Sequence, residues 1–134
     1  AAGAGSGLRI LLAEDNRINQ RVASLILSHQ GHRIDIAENG EEALSALAAN
    51  DYDVVLMDCQ MPVLDGFEAT RRLRRSQEAR NPNIPVIAIT ANAMHGDRER
   101  CLAAGMNDYI SKPISEKEVR AALARVLTVS QGSD

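Results

Sequence analysis

The stretch DVVLMDCQMPVLDG, residues 53–66, decides the fold. Its first part, 53–57, is apolar almost throughout and bounded by polar and turn-forming residues, the pattern of a short strand covered on both faces. The run stops at Asp58, and Pro62 and Gly66 then mark a loop before helical periodicity resumes over about 66–76. A strand buried on both sides needs helices above and below a parallel sheet.

The flanking sequence provides them. Residues 8–13 form another apolar run, and 16–30 carries Ile18, Val22, Leu25 and Ile26 at helical spacing until Gly31. Residues 33–37 alternate polar and apolar, and 41–50 places Ala43, Leu44, Leu47 and Ala48 on one helical face. Downstream of the opening stretch, Pro85 leads into a strand at 86–89, followed by a helix over about 92–104 and a short strand at 108–111. In the last helix Ser115 and Glu118 have capping-box spacing, and Val119, Ala122, Leu123, Val126 and Leu127 form a stripe. Strict alternation predicts an α/β, doubly wound (flavodoxin-like) fold with five parallel strands and five helices. The first, third and fourth strands are apolar throughout and the second and fifth are not, so the last two are edges, a pattern that agrees with the known doubly wound order 2-1-3-4-5.

Composition narrows the functional classes. At 134 residues, 45% hydrophobic and 25% charged, the chain fits one globular domain. Residues 8–128 are assigned to it. Residues 1–7, rich in Ala and Gly and lacking an initiating Met, read as a linker or expression scar, and 129–134 as a C-terminal linker. No apolar run approaches the ~20 residues of a membrane span. The net charge of -3 argues against direct nucleic-acid binding, and the arginines at 71, 72, 74 and 75 read as a solvated helix face. Two isolated cysteines, Cys59 and Cys101, suit neither a metal cage nor a disulfide framework, and a reducing, cytoplasmic setting is expected.

In doubly wound sheets ligands bind at the carboxyl ends of the strands, near the point where strand order reverses. Those ends carry Glu14 and Asp15 after the first strand, Asp58 after the third, Thr90 after the fourth, and Lys112 with Pro113 after the fifth. Adjacent first and third strands bring three carboxylates into one pocket, where their repulsion calls for a cation; Mg2+ fits an open, oxygen-lined site. Asp58 is then placed as a nucleophile toward a phosphoryl group. Lys112 supplies a second cation, Thr90 a hydroxyl donor, and the backbone N–H groups of Cys59 and Ala91 complete the cradle. Taken singly, each has an ordinary alternative: acidic residues complement a helix start, Thr caps helices, and Lys is usually solvated. Their convergence at four strand ends favours the phosphoryl pocket.

LLAEDN (11–16), MDCQMPVLDG (57–66), ITANA (89–93) and YISKPI (109–114) resemble the response-regulator receiver domain family of two-component signalling, across 8–127. The resemblance implies that Glu14 and Asp15 are the acidic pair, Asp58 the phosphoacceptor, Thr90 the switch hydroxyl, Lys112 the phosphate-contacting lysine and Tyr109 the aromatic switch. It also implies Mg2+ on Asp15, Asp58 and the Gln60 carbonyl, with Glu14 bound directly or through water, and a cis Lys112-Pro113 bond. Gln60 and Asn92 are expected to border the path of hydrolytic water. QMPVLDGFEATRRLR and AEDNRINQRVA are most similar to receivers of hybrid sensor histidine kinases. Such a domain catalyses its own phosphorylation and dephosphorylation. The resemblance implies a histidine kinase or histidine phosphotransfer protein as partner, as phosphoryl donor or acceptor, and a monomer or weak homodimer is expected. The competing readings are a Mg2+-dependent phosphohydrolase, disfavoured by short loops and the lack of a leaving-group acid, and an unphosphorylated pseudo-receiver, disfavoured by the complete pocket.

Overall fold

The computed structural model describes residues 7–91 and 97–132. In chain order its elements are β1 (Arg9–Ala13), α1 (Arg17–His29), β2 (Arg33–Ala37), α2 (Gly40–Ala49), β3 (Val54–Asp58) and α3 (Gly66–Arg75), then β4 (Val86–Thr90), α4 (Asp97–Ala104), β5 (Asp108–Ser111) and α5 (Glu116–Gly132). The strands pair in parallel in the order β2-β1-β3-β4-β5, as the apolar runs predict. The first part of the fourth helix assigned from sequence, 92–96, lies outside the described residues.

Alternation along each strand divides the core into two layers. Leu11, Val55, Met57, Val86 and Ala88 face α2, α3 and α4, while Ile10, Leu12, Leu56, Ile87 and Ile89 face α1 and α5. All five residues of β3 and of β4 are buried, whereas β2 is largely open, the difference between central and edge strands. Short polar side chains start the helices. Asn16, Asn39 and Asp65 accept hydrogen bonds from the backbone N–H three residues on, and Ser115 Oγ does the same for Glu118.

One reading is extended and one corrected. The apolar positions at helical spacing in α1 are only partly packed: Ile26 packs against the core layer beside the buried Ala23 and Leu27, while Ile18 is 73% exposed and Leu25 65%, with Val22 also exposed. The helix carries more apolar residues than one face can bury. The small Ala23 lets its backbone approach the sheet, which turns the bulkier stripe to solvent. Nor are all the α3 arginines solvated. Arg74 turns inward and donates to the carbonyls of Pro82, Ile84 and Gly105 and to Asn107 Oδ1, tying α3 to the segments that enter β4 and β5. Arg71 and Arg72 pair with Glu68 on the surface as expected.

The histidines are structural where described. His29 pairs with Glu116, linking α1 to α5, and His32 Nδ1 accepts the Leu8 N–H at 3.3 Å. Among the described residues no helix is long and apolar enough to cross a membrane.

Candidate functional site

Register places the chemistry. Ala13 pairs with Met57, Asp58 with Ile89 and Thr90 with Ser111, so the ends of β1, β3, β4 and β5 form one rim. Glu14 and Asp58 are each only 2% exposed there and Thr90 3%, in spite of their polarity. One carboxylate oxygen from each of Glu14, Asp15 and Asp58 lies within 4.8 Å of the other two. Asp15 is exposed and the other two buried, so the cluster opens to solvent on one side.

Lys112 reaches this cluster from the loop after β5. Its Nζ donates to Asp58 Oδ2 at 2.8 Å and stands 3.6 Å from Glu14 Oε1. The following Lys112-Pro113 peptide is cis, in agreement with the family resemblance. Burial works against the charge of the ammonium, but its bond to Asp58 and the charges of Asp58 and Glu14 outweigh that, holding Lys112 above the ordinary lysine range. It is therefore a fixed cation at neutral pH.

Glu14 is displaced the other way. Burial raises its pKa, the Asn16 N–H on its carboxylate opposes the shift, and the nearby Asp58 charge adds to it. The net direction is upward from an ordinary value of 4.5. Because the folded value is the higher one, charged Glu14 costs the metal-free domain stability above it, and the cost is relieved as pH falls through it. Metal binding requires the carboxylate, so its pH dependence runs oppositely. Titration calorimetry is expected to show Mg2+ affinity weakening as pH falls, beginning above the range in which ordinary carboxylates protonate, with the decline moved lower in Glu14→Gln. A parent affinity flat above that range would show that Glu14 protonation is not coupled to the metal.

The loop after β3 is held tightly against the site. Gln60 N–H donates to Asp58 Oδ1 at 3.0 Å, and Gly66 N–H closes the loop on the Cys59 carbonyl at 3.1 Å. The Cys59 N–H, expected from sequence to face the phosphoryl group, donates instead to the Ile89 carbonyl at 3.0 Å. The sheet ladder continues one residue past Asp58 and consumes that donor, so here the Gln60 amide rather than that of Cys59 reaches the carboxylate. Val63 turns the loop with φ 69, a left-handed conformation that a β-branched residue adopts only under strain.

Gly66 has no room for a side chain. A Cβ there would meet the Asp58 carbonyl at 2.2 Å and Met57 Cγ at 2.9 Å. Backbone cannot yield as a flexible side chain does, so Gly66→Ala is expected to cost roughly 1–3 kcal/mol in unfolding free energy. Mg2+ affinity is expected to fall with it as the loop moves off Asp58. Denaturant melts and calorimetry check both; an unchanged midpoint would mean the loop accommodates a methyl group.

Asp58, Thr90, Ala91 and Lys112 also line a small crevice on the α4 side, shared with Phe67 and Arg100. Sequence reasoning missed these last two. Neither follows a strand directly, and nothing in local periodicity brings the first turn of α3 or the body of α4 to Asp58. Tyr109 is half-buried against the α4-side core layer. Asn92 lies outside the described residues.

Comparison with known proteins agrees with this architecture. Residues 10–124 match the response regulator receiver domain model. The receiver domain of the sensor histidine kinase PA1611 from Pseudomonas aeruginosa PAO1, solved with magnesium coordinated in its active site cleft, is 46% identical over 90% of this chain and 97% of its own, with a TM-score of 0.80. The receiver domain of Saccharomyces cerevisiae Ssk1, crystallised with the histidine phosphotransfer protein Ypd1, is 27% identical, covering 89% of this chain and 88% of that one, with a TM-score of 0.79. Hybrid signal transduction histidine kinase B of Dictyostelium discoideum is 38% identical over 83% of this chain, which spans only 6% of that kinase. A family-model match over most of the chain, together with the same fold, is decisive: this chain belongs to the response regulator receiver domain family, and its relatives include receivers within hybrid histidine kinases.

Proposed function

We propose that Asp58 accepts a phosphoryl group from a phosphohistidine and that this modification switches the partner-binding surface of the domain, within a hybrid histidine kinase phosphorelay. The observation that carries the reading is Lys112 Nζ at 2.8 Å from Asp58 Oδ2, beside a cluster of three carboxylates. Two buried cysteines that form no disulfide fit a reducing compartment, the basis for a cytoplasmic setting.

An Asp58 carboxylate oxygen bonds to phosphorus as the phosphorus–nitrogen bond of the phosphohistidine breaks, and the electron pair leaves on the imidazole. Lys112, the Thr90 hydroxyl and the Ala91 and Gln60 amides stabilise the charge spread over the phosphoryl oxygens. The oxygen donors suit Mg2+, which Asp15, Asp58 and the Gln60 carbonyl would hold, with Glu14 nearby, supplying charge neutralisation and orientation. In the phosphorylated state Thr90 moves toward the phosphoryl group and Tyr109 turns inward, changing the face made by α4, β5 and α5.

The donor must reach Asp58, so its docking face has to border the acidic rim. Val22 of α1 does so, lining a cleft with Glu14, Lys112 and Pro113, and Ile18 and Leu25 of the same helix are exposed with it. A histidine phosphotransfer protein, the kind of partner seen with the Ssk1 receiver, is the occupant we assign. Phosphotransfer from such a protein tests the reading directly. Val22→Glu is expected to slow that transfer at least about ten-fold, by burying an unpaired charge, and to leave labelling by acetyl phosphate unchanged. Equal slowing of both reactions would move the docking face elsewhere.

A further inference from the structure

The turn that carries the acidic pair is gripped by one residue of α1. Gln20 Nε2 donates to the Glu14 carbonyl at 2.6 Å, and the backbone N–H of the same residue donates to the Asn16 carbonyl at 2.9 Å. The two acceptors flank Asp15, so a single residue ties down the backbone on either side of it. Further bonds hold Glu14 itself: its N–H donates to the Ala37 carbonyl at 2.9 Å, and its Oε2 accepts the Asn16 N–H at 3.1 Å.

The two acidic residues differ in what fixes them. Glu14 is buried and its side chain is bonded within the turn, whereas Asp15 is exposed. Little packing orients an exposed carboxylate, so where Asp15 points depends on the backbone that carries it. That placement matters for a metal that demands near-octahedral oxygens at about 2.0–2.1 Å. Groups that hold such ligands in place contribute to affinity without touching the ion.

We infer that Gln20 is a positioning residue of the metal site: by holding the Glu14 and Asn16 carbonyls it fixes Asp15 at the acidic rim and so raises Mg2+ affinity. This rests on the assignment of Mg2+ to that rim. The hold is on backbone carbonyls of the turn, so the effect belongs to metal binding and not to the phosphoryl step.

Two substitutions separate this role from a merely structural one. Gln20→Met keeps the length of the side chain and removes the donor, and Gln20→His returns a neutral N–H donor. Titration calorimetry with Mg2+ alone is expected to show affinity about ten-fold weaker in Gln20→Met, the lower end of what losing a partner behind a metal ligand costs. Gln20→His is expected to recover most of that loss. Labelling by acetyl phosphate should carry the same signature: in Gln20→Met the Mg2+ concentration for half-maximal rate rises by that factor while the rate at saturating Mg2+ stays near the parent's. In the metal-free domain, backbone amide NMR shifts of Gln20→Met are expected to change at Glu14, Asp15 and Asn16 and to match the parent's in β3, β4 and β5. The inference is overturned if Gln20→Met binds Mg2+ as tightly as the parent, whatever its melting temperature, or if Gln20→His is as weak as Gln20→Met. It is equally overturned if the saturated rate falls as far as the affinity, or if the metal-free shifts change throughout the sheet. Failure of the parent to bind Mg2+ would strike at the metal assignment instead.

Discussion

Asp58→Asn is expected to abolish Mg2+-dependent labelling by both acetyl phosphate and a phosphohistidine donor. Asp58 ends the central strand, is 2% exposed, and is gripped at both oxygens, by the Gln60 amide and by Lys112. An amide matches the carboxylate in size but has neither its charge nor its nucleophilic oxygen. Of the other two carboxylates, Glu14 is buried and accepts the Asn16 N–H, which makes it a poor substitute. Intact-mass measurement with peptide mapping reads the result. Labelling of the variant at Glu14 or Asp15 at a rate near the parent's would transfer the acceptor role and dismantle the proposed function.

Lys112→Ala carries the second largest effect, and its two consequences have opposite signs. Phosphorylation is expected to slow by about 10²- to 10³-fold, the usual result of removing one pre-positioned electrostatic group from a site where charge develops. Mg2+ is expected to bind more tightly, because the ammonium at 2.8 Å from Asp58 and 3.6 Å from Glu14 competes with a metal for the same oxygens. The metal-free variant should also melt at lower temperature than the parent, since two buried carboxylates lose their partner, and Mg2+ should restore much of the difference. Stopped-flow labelling, calorimetry and thermal melts give the three readings. Weaker Mg2+ binding in Lys112→Ala would show that the lysine organises the cluster rather than competing within it.

Particular residues show why some features were legible in the chain and others were not. Val54 to Met57 and Ile87 to Ile89 are apolar without interruption, and burial on both faces of a parallel sheet is the arrangement that such runs serve. Strand ends in this fold point at one rim, so Glu14, Asp58, Thr90 and Lys112 could be grouped before any coordinates existed. The stripe in α1 was legible as a helix but not as a surface. Spacing identifies the helix that carries Ile18, Val22 and Leu25, yet which of its positions meet the sheet is decided by packing, and there Ala23 and Leu27 are the buried ones.

Periodicity by itself determined the alternation of strands and helices and which strands are edges, because burial patterns are written locally, while the full strand order and the acidic rim followed once the known order of doubly wound folds was added. Only the folded chain decided that the Cys59 amide belongs to the sheet, that Arg74 turns inward, and that Arg100 and Phe67 wall the phosphoryl crevice. Each of these depends on the distance between elements far apart in sequence. Such distances are set by packing across the whole core, which no local pattern encodes.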